Sequence, residues 1–197
     1  MAQDVAFACT CGGVAGLLHG VGPGAGCHLV CYCADCRAFA HHLGVADRLQ
    51  PGGGSALFQV LPARLEITRG GDRLACLRLS PRGLHRWYAA CCNTPLANTV
   101  GTSRVPLAGM WRGLFADIAP LGPVTTHGFT RAARPGPGVP TRDKGLVRMF
   151  GGLLRRSLVA YVAGTARQGP FFDANGAPVV APVVLNGAER KAAYSTG

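Results

Sequence analysis

Charge is scarce in this 197-residue chain: Asp, Glu, Lys and Arg make up 15% of it, and only nine residues are acidic. With 48% of the residues hydrophobic, that scarcity excludes an intrinsically disordered chain, which needs low hydropathy and high charge. Also missing is any run of ~18 or more uncharged apolar residues, so no membrane span is expected. The N-terminus, Met1-Ala2-Gln3-Asp4, has no positively charged opening, which predicts a chain without a signal peptide. Lysine is nearly absent, with Lys144 and Lys191 standing against eighteen arginines. Cysteine is missing from the second half, so thiol chemistry is confined to the first.

Nine cysteines without an export signal point to a reducing, cytoplasmic setting, where thiols bind metal or react more often than they pair. Their odd number also argues against a closed disulfide set. The net charge of +11 permits an anionic partner without choosing among phosphates, carboxylates and membrane surfaces, and arginines scattered this evenly read first as a solvated surface. Aromatic and basic residues are not interleaved in the first half, which argues against nucleic acid as that partner. The length fits one domain with an extension.

Residues 5–97 carry short apolar runs broken by Gly and Pro, and they predict an all-β unit. Strands are expected at His28–Cys33, Ala56–Leu61 and Leu84–Tyr88. A hairpin is expected from Ala63–Arg69 and Arg73–Leu79, joined through Gly70-Gly71-Asp72. Residues 98–197 read as an extension. Within it, 134–140 is a Pro/Gly-rich linker that cannot be helical. Over residues 143–163, Leu146, Phe150, Leu153, Leu154, Leu158, Tyr161 and Val162 recur at helical spacing beside Arg148, Arg155 and Arg156. This predicts an amphipathic helix capped by Thr141 or Asp143. Docking of its apolar face onto the β-unit is the expectation; a membrane-surface or partner helix is the alternative. Residues 165–197 are expected to form an irregular tail.

The cysteine spacing carries the chemistry. Cys31-Tyr32-Cys33-Ala34-Asp35-Cys36 is a C-x-C-x-x-C triplet, and Cys9-Thr10-Cys11 is a C-x-C pair. A C-x-x-C turn brings two sulfurs within reach of one ion with zinc–sulfur bonds of ~2.3 Å, and C-x-C side chains on an extended segment point the same way. Soft thiolates and no need for redox chemistry favour zinc. Three protein ligands leave a fourth position open, as in catalytic sites. Zinc with three thiolates has a net charge of −1, so a cation should lie close; Arg37, the next residue, is the candidate. Cys9, Cys11 and Cys92 form a second set. Cys91 is its candidate fourth ligand, although adjacent side chains diverge. His41 and His42 read as packed or surface histidines, and Asp35 as a turn cap.

The ordered motifs Cys9-Thr10-Cys11-Gly12, Cys31 to Arg37, and Trp87-Tyr88-Ala89-Ala90-Cys91-Cys92-Asn93-Thr94-Pro95-Leu96 resemble the glutathione-dependent formaldehyde-activating enzymes and centromere protein V. The resemblance implies a mainly β, Mss4-like zinc-binding fold over residues 5–97, with a C-terminal helical extension. It implies two zincs, one structural on the C-x-C pair and the late cysteines, and one catalytic on the triplet. It implies carbon–sulfur lyase chemistry on an adduct of formaldehyde with a small thiol, glutathione. Two positions depart from the family pattern: Ala89 stands where a cysteine is usual, and Asn93 where glycine is. The alternative is a non-catalytic, zinc-stabilised module that recognises nucleic acid or protein.

Overall fold

In a computed structural model, which describes residues 2–195, the chain is mainly β. Strands β1 (Gln3–Ala8), β2 (Ala15–Val21) and β3 (Cys27–Cys31) lead into helix α1 (Ala34–His42). Then follow β4 (Ser55–Val60), β5 (Leu65–Arg69), β6 (Leu74–Arg78), β7 (His85–Ala89), β8 (Thr94–Thr99), β9 (Ala108–Trp111) and β10 (Thr126–Gly128). Helix α2 (Leu146–Val162), strand β11 (Val183–Val184) and helix α3 (Gly187–Ser195) complete the described residues. They form a small sheet, β1-β2-β5, and a large one ordered β10-β3-β4-β9-β8-β7-β6-β11. Every neighbouring pair is antiparallel except β10 with β3 and β11 with β6.

The core lies against the large sheet. Trp87 on β7 is fully buried; its indole N–H donates to Thr99 Oγ1 at 3.0 Å, and its ring stacks on Phe171 at 4.9 Å. All six residues of β4 are buried, as befits a central strand covered on both faces. The small sheet alternates, burying Val5, Phe7 and Leu18 against the same core and leaving its other face wet.

The strands at 28–33, 56–61 and 84–88 form as the pattern predicts. The expected hairpin does not. Its two runs become β5 and β6, but β5 pairs with β2 in the small sheet while β6 pairs with β7 in the large one. The reason sits in the connection. Gly70 has φ +74°, and a Cβ there would lie 2.0 Å from the Gly13 carbonyl oxygen. The turn is therefore pressed against the chain between β1 and β2 and diverts the second strand to another sheet.

The second half is less detached than its sequence suggests. β9 lies between β4 and β8, so the large sheet draws a central strand from beyond residue 97. The tail expected to be irregular supplies buried Phe171, Leu185 and Ala193, and ends in α3, which packs along α1. The linker's Val139 packs with Val30, Tyr32 and Ala56. The long helix forms, but neither expected residue caps it. Gly145 at φ +78° occupies that position, and the Asp143 carboxylate instead accepts from the Thr130 N–H and hydroxyl. Its apolar stripe docks on the β-unit only in part. Leu146, Met149 and Leu153 are half-buried beside Arg156 and Ala160, with Leu153 packing against Leu61, while Phe150, Leu154, Leu158, Tyr161 and Val162 face outward.

An exposed ionic triad crosses the small sheet. On β2, His19 Nδ1 lies 2.8 Å from Asp4 of β1, and Nε2 lies 2.9 Å from Glu66 of β5. The Asp4 bond, then that to Glu66, raises the His19 pKa; the Gly20 N–H, then His19, lowers that of Asp4. The imidazolium's contribution is therefore complete below ~6.5 and lost as pH rises through the elevated folded value. Asp4's contribution is complete above ~3.9 and lost as pH falls through the depressed one. Replacing His19 by glutamine should lower Tm most between about pH 4 and 6.5, with the difference from wild type fading at alkaline pH. A difference independent of pH would refute the charged triad.

Candidate metal centres

Cys31 ends β3, and the chain continues extended through Cys33, whose φ and ψ are −63° and 147°. Cys33 caps α1: its sulfur accepts from the Cys36 N–H at 3.4 Å. A strand end followed at once by a helix start folds the triplet back on itself. Cys31 and Cys33 sulfurs lie 3.4 Å apart, and all three sulfurs fall within 4.8 Å of one another. The helix N-terminus favours negative charge there. Cys31 and Cys36 are buried and Cys33 is half-buried, so the site meets solvent on the Cys33 side.

The expected cation is elsewhere. Arg37 turns away and donates to the Ala132 carbonyl at 2.9 Å. The guanidinium beside the sulfurs belongs to Arg86 of β7, only 1% exposed, whose Nη1 lies 3.4 Å from Cys36 Sγ and 3.2 Å from Asn98 Oδ1. It also lies over the Phe39 ring, 5.6 Å from its centroid, and 3.8 Å from Asp35. Hydrogen bonds from Cys31 and Cys33, followed by Arg86, hold the Cys36 pKa well below the ordinary thiol range. The same sulfur–sulfur bonds, with burial, push Cys31 up. Three sulfurs within 4.8 Å of one another, one of them against a buried guanidinium, form a donor set that a soft divalent metal fits. Among the described residues, no His, Asp or Glu joins the triplet as a fourth ligand, and His41 and His42 lie outside it.

The second group spans both sheets. Cys9 and Cys11 occupy the turn from β1 to β2, and Cys91 and Cys92 the turn from β7 to β8. Cys91 Sγ lies 3.3 Å from Cys11, 3.8 Å from Cys9 and 3.9 Å from Cys92. Adjacent side chains were expected to diverge, yet both reach the cluster. Asn93, at φ +54°, turns the chain sharply after them in the left-handed region, which asparagine tolerates. Ala89 is buried in β7, and Cys91 completes the four. Burial opposes ionisation of Cys92, but the Thr10 and Thr94 hydroxyls and two backbone N–H groups hold its pKa at about 5. The Cys11 hydrogen bond, with burial and Cys9, pushes Cys91 up to about 12. Four sulfurs mutually within 4.8 Å can close around one ion.

Cys27 and Cys76 join neither cluster. Asp35 does more than cap a turn: the Tyr194 hydroxyl of α3 donates to it at 2.5 Å, so the end of the described chain is tied to the triplet loop. Arg86 and Tyr194 escaped the sequence reading. The one signal for Arg86 was a basic residue inside the aromatic-rich run Leu84 to Tyr88. A crevice reaches Cys36 between Phe39, Arg86, Asn98 and Trp111, but it is too narrow for a water molecule.

A family model described as a family of unknown function (DUF6151) matches residues 1–182. No curated protein matches. Among solved structures, a crystal structure of a Rhodobacter sphaeroides protein is similar, with 17% identity and a TM-score of 0.43 over 60% of this chain and 96% of that one.

Proposed function

Because the chain belongs to the family of unknown function DUF6151, whose description assigns no activity, we propose from the cysteine clusters a zinc protein with one structural and one reactive centre. Cys9, Cys11, Cys91 and Cys92 would hold the structural ion, and Cys31, Cys33 and Cys36 the reactive one. The observation that carries this reading is the difference between the sets: four sulfurs in one, three beside a buried guanidinium in the other. The resemblance to glutathione-dependent formaldehyde-activating enzymes supplies the reaction class, reversible carbon–sulfur bond formation between a small thiol and formaldehyde. Zinc, when bound, supplies Lewis-acid and thiolate-anchoring chemistry.

The chain's own residues divide the remaining work. Arg86, held by Asn98 and the Phe39 ring, offsets sulfur charge in a dry setting where its field is poorly screened. Asp35, held by Tyr194, steadies the loop between Cys33 and Cys36. The half-buried Cys33 side is where a thiol would enter. In the adduct-forming direction the thiol sulfur bonds to the aldehyde carbon, and the thiol proton ends on the former carbonyl oxygen. The reverse breaks the carbon–sulfur bond and returns both partners.

The protein should carry two zincs and accelerate exchange between formaldehyde and its glutathione adduct, followed by NMR. Cys33→Ser should lose one zinc and the exchange activity, while Cys27→Ser, outside both clusters, should keep both. Equal losses in the two variants would mean a folding defect instead. The closed crevice at Cys36 favours the non-catalytic module as the second reading. Two zincs without exchange activity would select that module.

A further inference from the structure

Helix α2 faces water with its wrong side. Val147, Phe150, Leu154, Leu158, Tyr161 and Val162 fall, at 100° per residue, within an arc of roughly 120°. All six are exposed, from 48% at Tyr161 to 92% at Val162. The opposite side is the one that meets the protein: Arg156 and Ala160 are buried there, Met149 and Leu153 pack half-buried beside them, and Arg156 donates to the Gln59 side chain at 2.7 Å. Apart from the Tyr161 hydroxyl, which donates to the Arg104 carbonyl, nothing among the described residues takes the outward arc out of water.

Charge decides what would cover it. Arg148 and Arg155, both exposed, lie side by side along one border of the apolar arc, and α2 contains no acidic residue. They continue into a groove of ≈ 1120 Å³, between α2 and the Gly22–Gly26 turn, which Arg156 also lines. The chain as a whole carries +11. A second copy would bring the same arginines against one another, and nucleic acid would leave the apolar arc wet. An anionic bilayer satisfies both features, because acyl chains accept the arc while headgroup phosphates meet the arginines. The helix is seventeen residues long, and no helix among the described residues is long and apolar enough to cross a membrane. Near its start, Phe129 is held 58% exposed at φ +59°, a costly conformation for an aromatic residue, by the bonds between Thr130 and Asp143.

We propose that α2 docks the protein on anionic membrane surfaces, lying in the interface with its apolar arc below the headgroups and Arg148 and Arg155 among the phosphates. The test is sedimentation of the full chain with phosphatidylglycerol-containing vesicles and with pure phosphatidylcholine vesicles. The wild type should bind the anionic vesicles, and more weakly as salt rises. Leu154→Gln should reduce partitioning roughly tenfold, about the transfer contribution of one leucine side chain. Leu154 is 63% exposed, so the thermal melt should be unchanged. Arg148→Gln with Arg155→Gln should abolish the preference for anionic lipid. Failure of the wild type to sediment, or sedimentation unmoved by Leu154→Gln, would overturn the proposal. So would a solution dimer that Leu154→Gln dissociates, which would assign the face to a second copy.

Discussion

Replacing Arg86 by methionine should weaken zinc at the triplet by ~10² to 10³-fold while leaving the four-cysteine site loaded. A unit charge near 4 Å from another contributes about 4 kcal/mol at an effective dielectric of ~20, and 1.36 kcal/mol is tenfold in affinity. Arg86 lies 3.4 Å from Cys36 and is 1% exposed, so little solvent screening reduces that figure. Methionine preserves bulk and apolarity. The metal-free protein should be destabilised less than the loaded one, because without metal Cys36 can take up a proton once Arg86 is gone, whereas thiolates bound to zinc cannot. Arg86→Lys separates charge from shape: it keeps the cation but cannot reproduce the planar contacts with Asn98 and Phe39. Its zinc affinity should fall between the other two. Competition with a chromogenic chelator reads all three proteins. Unchanged affinity in the methionine variant, with only a lower Tm, would reduce Arg86 to a packing residue.

Arg86 also marks where sequence reasoning stopped. The triplet was legible because its geometry is local: a strand end, a two-residue turn and a helix start fix three sulfurs within six positions. Its counter-charge was not, because Arg86 reaches Cys36 from another strand, fifty residues away. Proximity in sequence favoured Arg37, whose side chain instead closes on the Ala132 carbonyl. The same contrast separates strands from their pairing. Apolar runs placed the strands at 28–33, 56–61 and 84–88, but which edge β5 would join was settled by the close approach of Gly70 to Gly13. For α2 the period was right and the facing right only for Leu146 and Leu153. Hydrophobic spacing shows that a helix has two sides, and it is silent on which side the protein uses. Here a buried arginine, bonded to Gln59, took the inward position.

Cys91→Ser should release one zinc and loosen the small sheet from the large one. Two kinds of contact join them at this end. One is apolar packing by Val5, Phe7 and Leu18. The other is the join between the turns, where Cys9 and Cys11 meet Cys91 and Cys92 and where Thr10 bonds Thr94 at 2.8 Å. A sheet of three strands holds together in water only with its hydrophobic face packed. Structural zinc in small domains contributes ~10–16 kcal/mol to folding, so losing even a third of that should lower Tm by ~10 °C or more in a chain of this size. Hydrogen exchange gives the sharper reading. Amides of β1, β2 and β5 should lose protection first, while β4, β8 and β9 keep theirs, because opening becomes local to the sheet that lost its staple. Cys92→Ser should do the same, since both vicinal sulfurs belong to the cluster. If Cys91→Ser keeps two zincs, or if protection falls uniformly across both sheets, the turn at Cys91 is not the join between them.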